Sequence, residues 1–290
     1  MNFRQTMNPN SFSVNKPILP VSVVVPCFRC EQTIQRAVNS IVVQTQLPKE
    51  VILVDDASDD DTLAILMELQ NRYDKSWIHV IRLKNNSGPS AARNAGWAVA
   101  TQPYIAFLDA DDAWHPRKLE IQFGWMQAHP QVAMTGHNCT VVRSEVQDFT
   151  LPECWHAKSV IPYRFLLFSG LTGFPTPSII LRRNLPYRFE PKKRHSEDYL
   201  FKLQIVLDGN DTWRLELPLV YLYKERYGEK GQTANLWKME KGQLDTYRRL
   251  RAERRISWVV AIVLSVVSLL KYFRRVVLVY LRNRNKHKRL

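Results

Sequence analysis

Residues 104–112, Tyr-Ile-Ala-Phe-Leu-Asp-Ala-Asp-Asp, decide how this chain folds. Five uncharged residues run straight into three carboxylates. The run is too short for a helix and reads as a buried strand that ends in acids. Upstream, Ser90 to Ala100 is a helix of small residues, preceded by a strand at Ile78 to Leu83. Asp60 caps a helix through Leu69, and Val51 to Val54 is another strand. Thr33 to Val43 has helical spacing, with Ile34, Ala37, Val38 and Ile41 on one face, and Val21 to Val25 is a short apolar run stopped by Pro26. Downstream, Pro116 stands in a good first-turn position for a further helix. Strand and helix alternate four times at short spacing, which predicts an α/β fold: a mostly parallel sheet with helices on both faces.

In such a sheet, ligands bind outside the carboxyl ends of the strands. The polar residues gather there. Pro26-Cys27-Phe28 follows the first strand and Asp55-Asp56 the second. Asn86-Ser87-Gly88 follows the third and Asp109-Ala-Asp-Asp112 the fourth. Five carboxylates on one rim repel one another unless a cation sits among them. On an extended strand end, Asp109 and Asp111 point to one side and Asp112 to the other. Close carboxylate oxygens suit Mn2+ or Mg2+, which keep positions open for phosphate oxygens. The chain has no G-x-x-x-x-G-K-[ST] loop and no G-x-G-x-x-G. A phosphate-bearing substrate is therefore left to a metal and to Arg93.

The 290 residues are 45% hydrophobic and 11% aromatic, which excludes a mostly disordered chain. Four Cys do not make a disulfide framework, so a reducing compartment is the simpler reading. Met1 to Pro20 is a polar tail without an apolar run, and no signal peptide is expected. The net charge of +14 is unevenly placed. Residues 245–290 carry 13 Lys and Arg against two acids, or +11, which leaves +3 for the first 244 residues.

The segment Val21 to His137 resembles a family 2 glycosyltransferase of the GT-A fold, of the bacterial surface-polysaccharide type. Four motifs in order carry the resemblance: VSVVVPCFRCEQTIQRAVNSI, VILVDDASDDDT, NNSGPSAARNAG and YIAFLDADDAWHP. Further on, PSIILRR and HSEDYLFKLQI resemble the acceptor-side region, and the resemblance reaches about Leu250. It implies a nucleotide-sugar half over 21–137, an acceptor half over 138–244, and a separate tail over 245–290.

The resemblance also assigns roles. Pro26 and Phe28 stand where the family flanks the base, with Phe where Tyr is usual. Asp56, preceded by Asp55, matches the acid that reads the base edge. Gly88 and Arg93 match the loop near the nucleotide and diphosphate. Asp109 resembles the ribose-contacting acid, and Asp111 and Asp112 resemble the metal-side acids, either of which could ligate. Asp198 matches the catalytic base, with Glu197 as runner-up. The implied reaction is an inverting transfer of one sugar from a UDP-sugar to an acceptor hydroxyl, with Mn2+ or Mg2+ as cofactor. Two departures matter. Where many relatives have Tyr-Arg-x-His-x-Gly, this chain has Tyr223-Lys-Glu-Arg-Tyr-Gly228, with Arg226 near the His position. The processive Gln-x-x-Arg-Trp motif is missing, so a single addition per encounter is expected.

The tail points to a partner. Ile256 to Leu270 has no charge over 15 residues, Lys271-Tyr-Phe-Arg-Arg275 follows, and Val276 to Leu281 is apolar again. A bilayer span needs about 20 apolar residues. Apolar stretches alternating with Arg clusters suit a segment lying in the headgroups, each basic residue adding about 1 kcal/mol at an anionic surface. A buried helix or an oligomer contact is one alternative and a true span another, and a homo-oligomer stays open. The expected site is the cytoplasmic side of the inner membrane, peripheral or monotopic, with a lipid-linked glycan as acceptor. Binding of nucleic acid is not expected. Two other functions compete: a sugar-phosphate nucleotidyltransferase, which would carry a Gly-rich loop where this chain has PCFRCEQT, and a non-enzymatic membrane or nucleic-acid adaptor. Cys27-x-x-Cys30 has no second Cys pair at matching spacing and is discounted as a metal or redox motif.

Overall fold

A computed structural model of the chain describes residues 16–142, 150–223 and 235–287; of 168–172 and 278–287 only the backbone is described. The chain divides into two compact units. One holds the sheet and comprises residues up to Ser159, Phe174–Pro186 and Asp211–Tyr223; the other is helical and comprises Val160–Gly173, Tyr187–Asn210 and Lys224–Leu290.

The sheet unit begins β1 (Ile18–Cys27), α1 (Ile34–Val42), β2 (Leu47–Asp55), α2 (Thr62–Tyr73), β3 (Ile78–Arg82), α3 (Pro89–Val99) and β4 (Tyr104–Phe107). It continues with β5 (Ala113–Trp114), α4 (Lys118–Ala128), β6 (Met134–Val141), β7 (Ala157–Ser159), β8 (Ile180–Arg182) and β9 (Thr212–Leu222). The sheet order is β3-β2-β1-β4-β8-β6-β9-β5, with β7 also on β9. β1, β2, β3 and β4 pair in parallel, as do β6 and β9, while β8, β5 and β7 run against their neighbours.

β1 is apolar without alternation because both of its faces are covered: Val21, Val23, Val24 and Val25 are all fully buried. The chain moves outward from β1 to β2 and β3, then returns through α3 to β4 on the other side of β1. The order therefore reverses between β1 and β4, and the crevice of the fold opens beyond their carboxyl ends. The small residues of α3 allow it to lie close on the sheet. A Cβ on Gly96 would stand 2.5 Å from Val24 Cγ1 and 3.2 Å from Val54 Cγ2. Asp61 rather than Asp60 stands at the cap position of α2, and the Asp60 carboxylate accepts from the N–H of Thr62, its first residue (3.1 Å).

Under β5 and α4 lies a buried polar group of a different kind. The Lys118 ammonium sits 3.8 Å from the centre of the Trp114 ring, and burial pushes its pKa well down. His137, on β6, is fully buried, and its Nδ1–H donates to the Asn138 carbonyl (2.7 Å). Burial, reinforced by the Lys118 charge, lowers its pKa to about 3. The unfolded chain protonates this imidazole near 6.5 and the folded chain does not. Stability is therefore fully present above pH 6.5 and falls as pH drops towards 3, by about 1.4 kcal/mol per unit from this group. Urea midpoints between pH 7 and pH 4.5 should fall less steeply in His137→Gln than in the wild type. Parallel slopes would remove His137 from acid sensitivity.

The helical unit contains α5 (Pro162–Thr172), α6 (Glu197–Leu207), α7 (Leu236–Ala252) and α8 (Trp258–His287). The tail expected as two apolar stretches is one continuous 30-residue helix. Its Lys and Arg clusters are good helix formers, so a change of polarity does not interrupt the backbone.

Candidate active site

Four elements of the sheet unit bring the predicted residues to the crevice. β1 ends at Cys27, and the chain turns through Arg29, whose φ of 47° is left-handed. Arg29 is fixed there by two bonds to Asp59 (2.6 and 2.7 Å), and its N–H donates to Ser58 Oγ (3.1 Å). The turn leaves Phe28 42% exposed, with the Arg29 guanidinium 5.2 Å from its ring centre. Pro26 is half-buried. Cys27 and Cys30 are both free and buried, and Cys30 N–H donates to Thr62 Oγ1 (2.8 Å).

Asp55 and Asp56 are adjacent but differently employed. Asp55 is fully buried; it accepts from the Ser58 N–H (3.1 Å), and the Arg82 guanidinium lies 3.5 Å from its other oxygen. It holds the turn. Asp56 spans β1 and the loop before α3. Its N–H donates to the Cys27 carbonyl (2.8 Å), and its two carboxylate oxygens accept from the Ser87 and Gly88 N–H groups (2.8 and 2.7 Å). Gly88 has a φ of 89°, which favours glycine, and Pro89 starts α3 immediately after. The carboxylate thus sits at the positive end of a helix. An ionised carboxylate offers about four lone-pair sites, so Asp56 keeps capacity for a ligand donor.

The acids after β4 do not continue the strand. The Asp112 N–H donates to the Asp109 carbonyl (3.1 Å), so residues 109–112 form a turn. The alternation expected for an extended end is therefore lost: a turn lets short Asp side chains and the backbone satisfy one another locally. Buried Arg93 on α3 donates to Asp109 Oδ1 (2.7 Å). Asp111 is half-buried and Asp112 buried. Sequence reasoning missed Arg36 on α1. Its guanidinium donates to the Asp111 carbonyl (2.6 Å) and lies 3.6 Å from the Tyr223 ring centre. Beyond the turn, Trp114 Nε1 donates to the Pro177 carbonyl (2.8 Å), and β5 is stitched to β9.

Asp198 lies in the helical unit, in the first turn of α6, where a carboxylate is favoured. Ser196 just before it has a φ of 57°. Lys202, one turn on and buried, donates to Asp198 Oδ2 (2.7 Å). Glu197 is buried. Lys193 braces the same loop against α7, donating to the Gly242 carbonyl (2.5 Å) and Asp245 (3.1 Å). A Cβ on Gly242 would stand 2.6 Å from the His195 carbonyl oxygen, so this glycine sets the approach. Burial, then Lys238 and Lys193, lower the His195 pKa. Arg226 lies outside the described residues.

A mostly parallel sheet whose strand order reverses at β1/β4, with helices on its faces, is the GT-A transferase fold. The family described as "Glycosyl transferase family 2" matches residues 22–185, and the chain belongs to it. The putative teichuronic acid biosynthesis glycosyltransferase TuaG of Bacillus subtilis is 29% identical over 81% of this chain and 89% of its own length. The UDP-Glc:alpha-D-GlcNAc-diphosphoundecaprenol beta-1,3-glucosyltransferase WfaP of Escherichia coli is 36% identical over 65% of this chain and 71% of its own. Among solved structures, S. aureus TarS 1-349 in complex with UDP-GlcNAc superposes with a TM-score of 0.63 at 22% identity, covering 80% of this chain and 66% of that one. The mannosyltransferase PcManGT of Pyrobaculum calidifontis, in complex with GDP-Man and Mn2+, gives 0.59 at 18% identity over 89% and 75%.

Proposed function

We propose that this chain moves one sugar from a UDP-sugar to an acceptor hydroxyl, with inversion at the anomeric carbon. The observation that carries the reading is the reversal of strand order at β1/β4, with Phe28, the Asp56–Gly88 loop and the Arg93–Asp109 pair all delivered to its carboxyl edge. Phe28 offers a ring to stack on uracil, and Pro26 flanks it. Asp56 reads the base edge while it holds the Gly88 loop, and Asp55 keeps the turn in place. Asp109, oriented by Arg93, accepts from the ribose.

The acidic turn fits a divalent cation. Asp111 and Asp112 supply hard carboxylate oxygens on one turn, tied down by Arg36. No group of three His, Cys, Asp or Glu gathers among the described residues. Mg2+ or Mn2+ bound through one or two carboxylates and substrate phosphates requires none. When bound, such an ion neutralises diphosphate charge.

Asp198 takes the proton of the acceptor hydroxyl as that oxygen bonds to the anomeric carbon. The bond to the diphosphate oxygen breaks, and UDP leaves with the electron pair. Lys202 keeps Asp198 oriented between turnovers. The acceptor is a lipid-linked glycan in surface-polysaccharide assembly, a reading supported by the diphosphoundecaprenol substrate in the relative's name, and the reaction takes place at the cytoplasmic face of the membrane.

A thermal-shift panel tests the donor. A ligand that binds only the folded state stabilises it by about 2.7 kcal/mol at 100 times its Kd. UDP with Mn2+ should raise the Tm, GDP should not, and one UDP-sugar should exceed UDP. Stabilisation by GDP, or by no nucleotide, would overturn the reading.

A further inference from the structure

The two sides of α8 carry different kinds of residue. Its inner side is docked within the helical unit: Ala261, Leu264 and Ser268 are buried, Ser268 Oγ donates to Glu240 Oε1 (2.6 Å), and Arg275 donates to Glu240 Oε2 (2.6 Å). Glu240, on α7, is itself fully buried. The opposite side is apolar and open. Trp258, Ile262, Val266, Leu270, Phe273 and Val277 recur at three- and four-residue intervals and are all exposed. At 3.6 residues per turn they share an arc of about 120°, on which no charged residue falls between Trp258 and Val277. The stripe is about 29 Å long at 1.5 Å per residue. A soluble surface rarely leaves so continuous an apolar patch uncovered.

We infer that the outer arc of α8 is a bilayer-docking surface, on which the helix lies in the plane of an anionic membrane. Three observations select that occupant. Among the described residues no helix is long and apolar enough to cross a membrane, so the arc meets lipid from the side. Arg274 lies just off the arc, and Arg251 and Arg254 precede the helix, where headgroup phosphates would sit. A second copy would instead set +11 against +11 across the contact, which is repulsive. Trp258, in the first turn, suits the boundary between headgroup and acyl chain. The inference deepens the membrane placement proposed above, and its test reads lipid binding, so it can fail while sugar transfer stands, and the reverse.

The full chain is floated with vesicles of phosphatidylcholine alone, or with a third phosphatidylglycerol. The wild type should float with the anionic vesicles, and high salt should weaken this. Val266→Glu with Leu270→Glu, both on the open side, should lower vesicle binding at least tenfold with Tm and UDP stabilisation unchanged. In the wild type, acyl-brominated lipid should quench tryptophan emission, and Trp258→Phe should remove much of that quenching, a readout that needs no charged substitution. Three results would each overturn the inference. The wild type could stay unbound to both vesicles. The double variant could bind as the wild type does. The wild type could form a dimer in light scattering that the double variant dissolves, which would give the arc to a second copy.

Discussion

Asp198→Asn should lower sugar transfer by about 10²–10⁴-fold, the usual worth of a positioned general base, while UDP still raises the Tm as in the wild type. Asparagine matches the carboxylate in shape and still accepts a hydrogen bond from Lys202, so the 2.7 Å contact to that buried ammonium survives in kind. The lost property is the ability to take a proton. The effect therefore falls on kcat rather than on donor binding, which is proposed for the sheet unit. Glu197→Gln is the contrast: Glu197 is buried, whereas Asp198 keeps about a third of its side chain in solvent. Single-turnover transfer at saturating donor, with UDP thermal shifts in parallel, separates the two steps. Equal turnover in Asp198→Asn and wild type would take Asp198 out of the chemistry, and a loss only in Glu197→Gln would hand it the role.

The parallel core was legible because each of its strands declares itself. β1, β2 and β4 carry the apolar runs Val23–Val25, Val51–Val54 and Tyr104–Leu108, which stop at a proline or an aspartate, and burial on both faces forces that composition. The far half of the sheet carries no such signal. β5 has two residues and β8 three, too few for a period, and their places are decided by β9 and β6 across the sheet. The acids of the candidate site stand out in the sequence one by one, but their partners in the fold do not. Arg36 reaches a carbonyl 75 residues away, and nothing in the local pattern around it announces that contact. The turn at 109–112 escaped for the opposite reason. Alternation holds only while a strand keeps its neighbours, and the Asp112 N–H has turned back to Asp109. Asp56 shows the limit of assigning roles by position. Its proposed place by the base rests on the resemblance, and only the fold reveals that both oxygens already hold the Gly88 loop.

That double duty makes Asp56→Ala the second large effect. The substitution removes the acceptor for two backbone N–H groups at a nearly buried position. Hydrogen bonds to a charged group contribute about 1.5–3 kcal/mol each, and a buried N–H left without an acceptor costs a comparable amount. A stability loss of about 3 kcal/mol is expected. Nucleotide binding should go with it, because the carboxylate proposed to read the base also fixes the start of α3. Gly88→Ala separates the two contributions. A Cβ there meets nothing within 4 Å, so its cost is the strained φ of 89°, about 1–2 kcal/mol, with the carboxylate untouched. Gly88→Ala should therefore retain UDP-dependent stabilisation in reduced measure, and Asp56→Ala should show none even where denaturant melts confirm that it is folded. If UDP raised the Tm of folded Asp56→Ala as far as that of the wild type, the carboxylate would be a loop anchor only, and the base would have to be read by another group at the edge of β1 and β2.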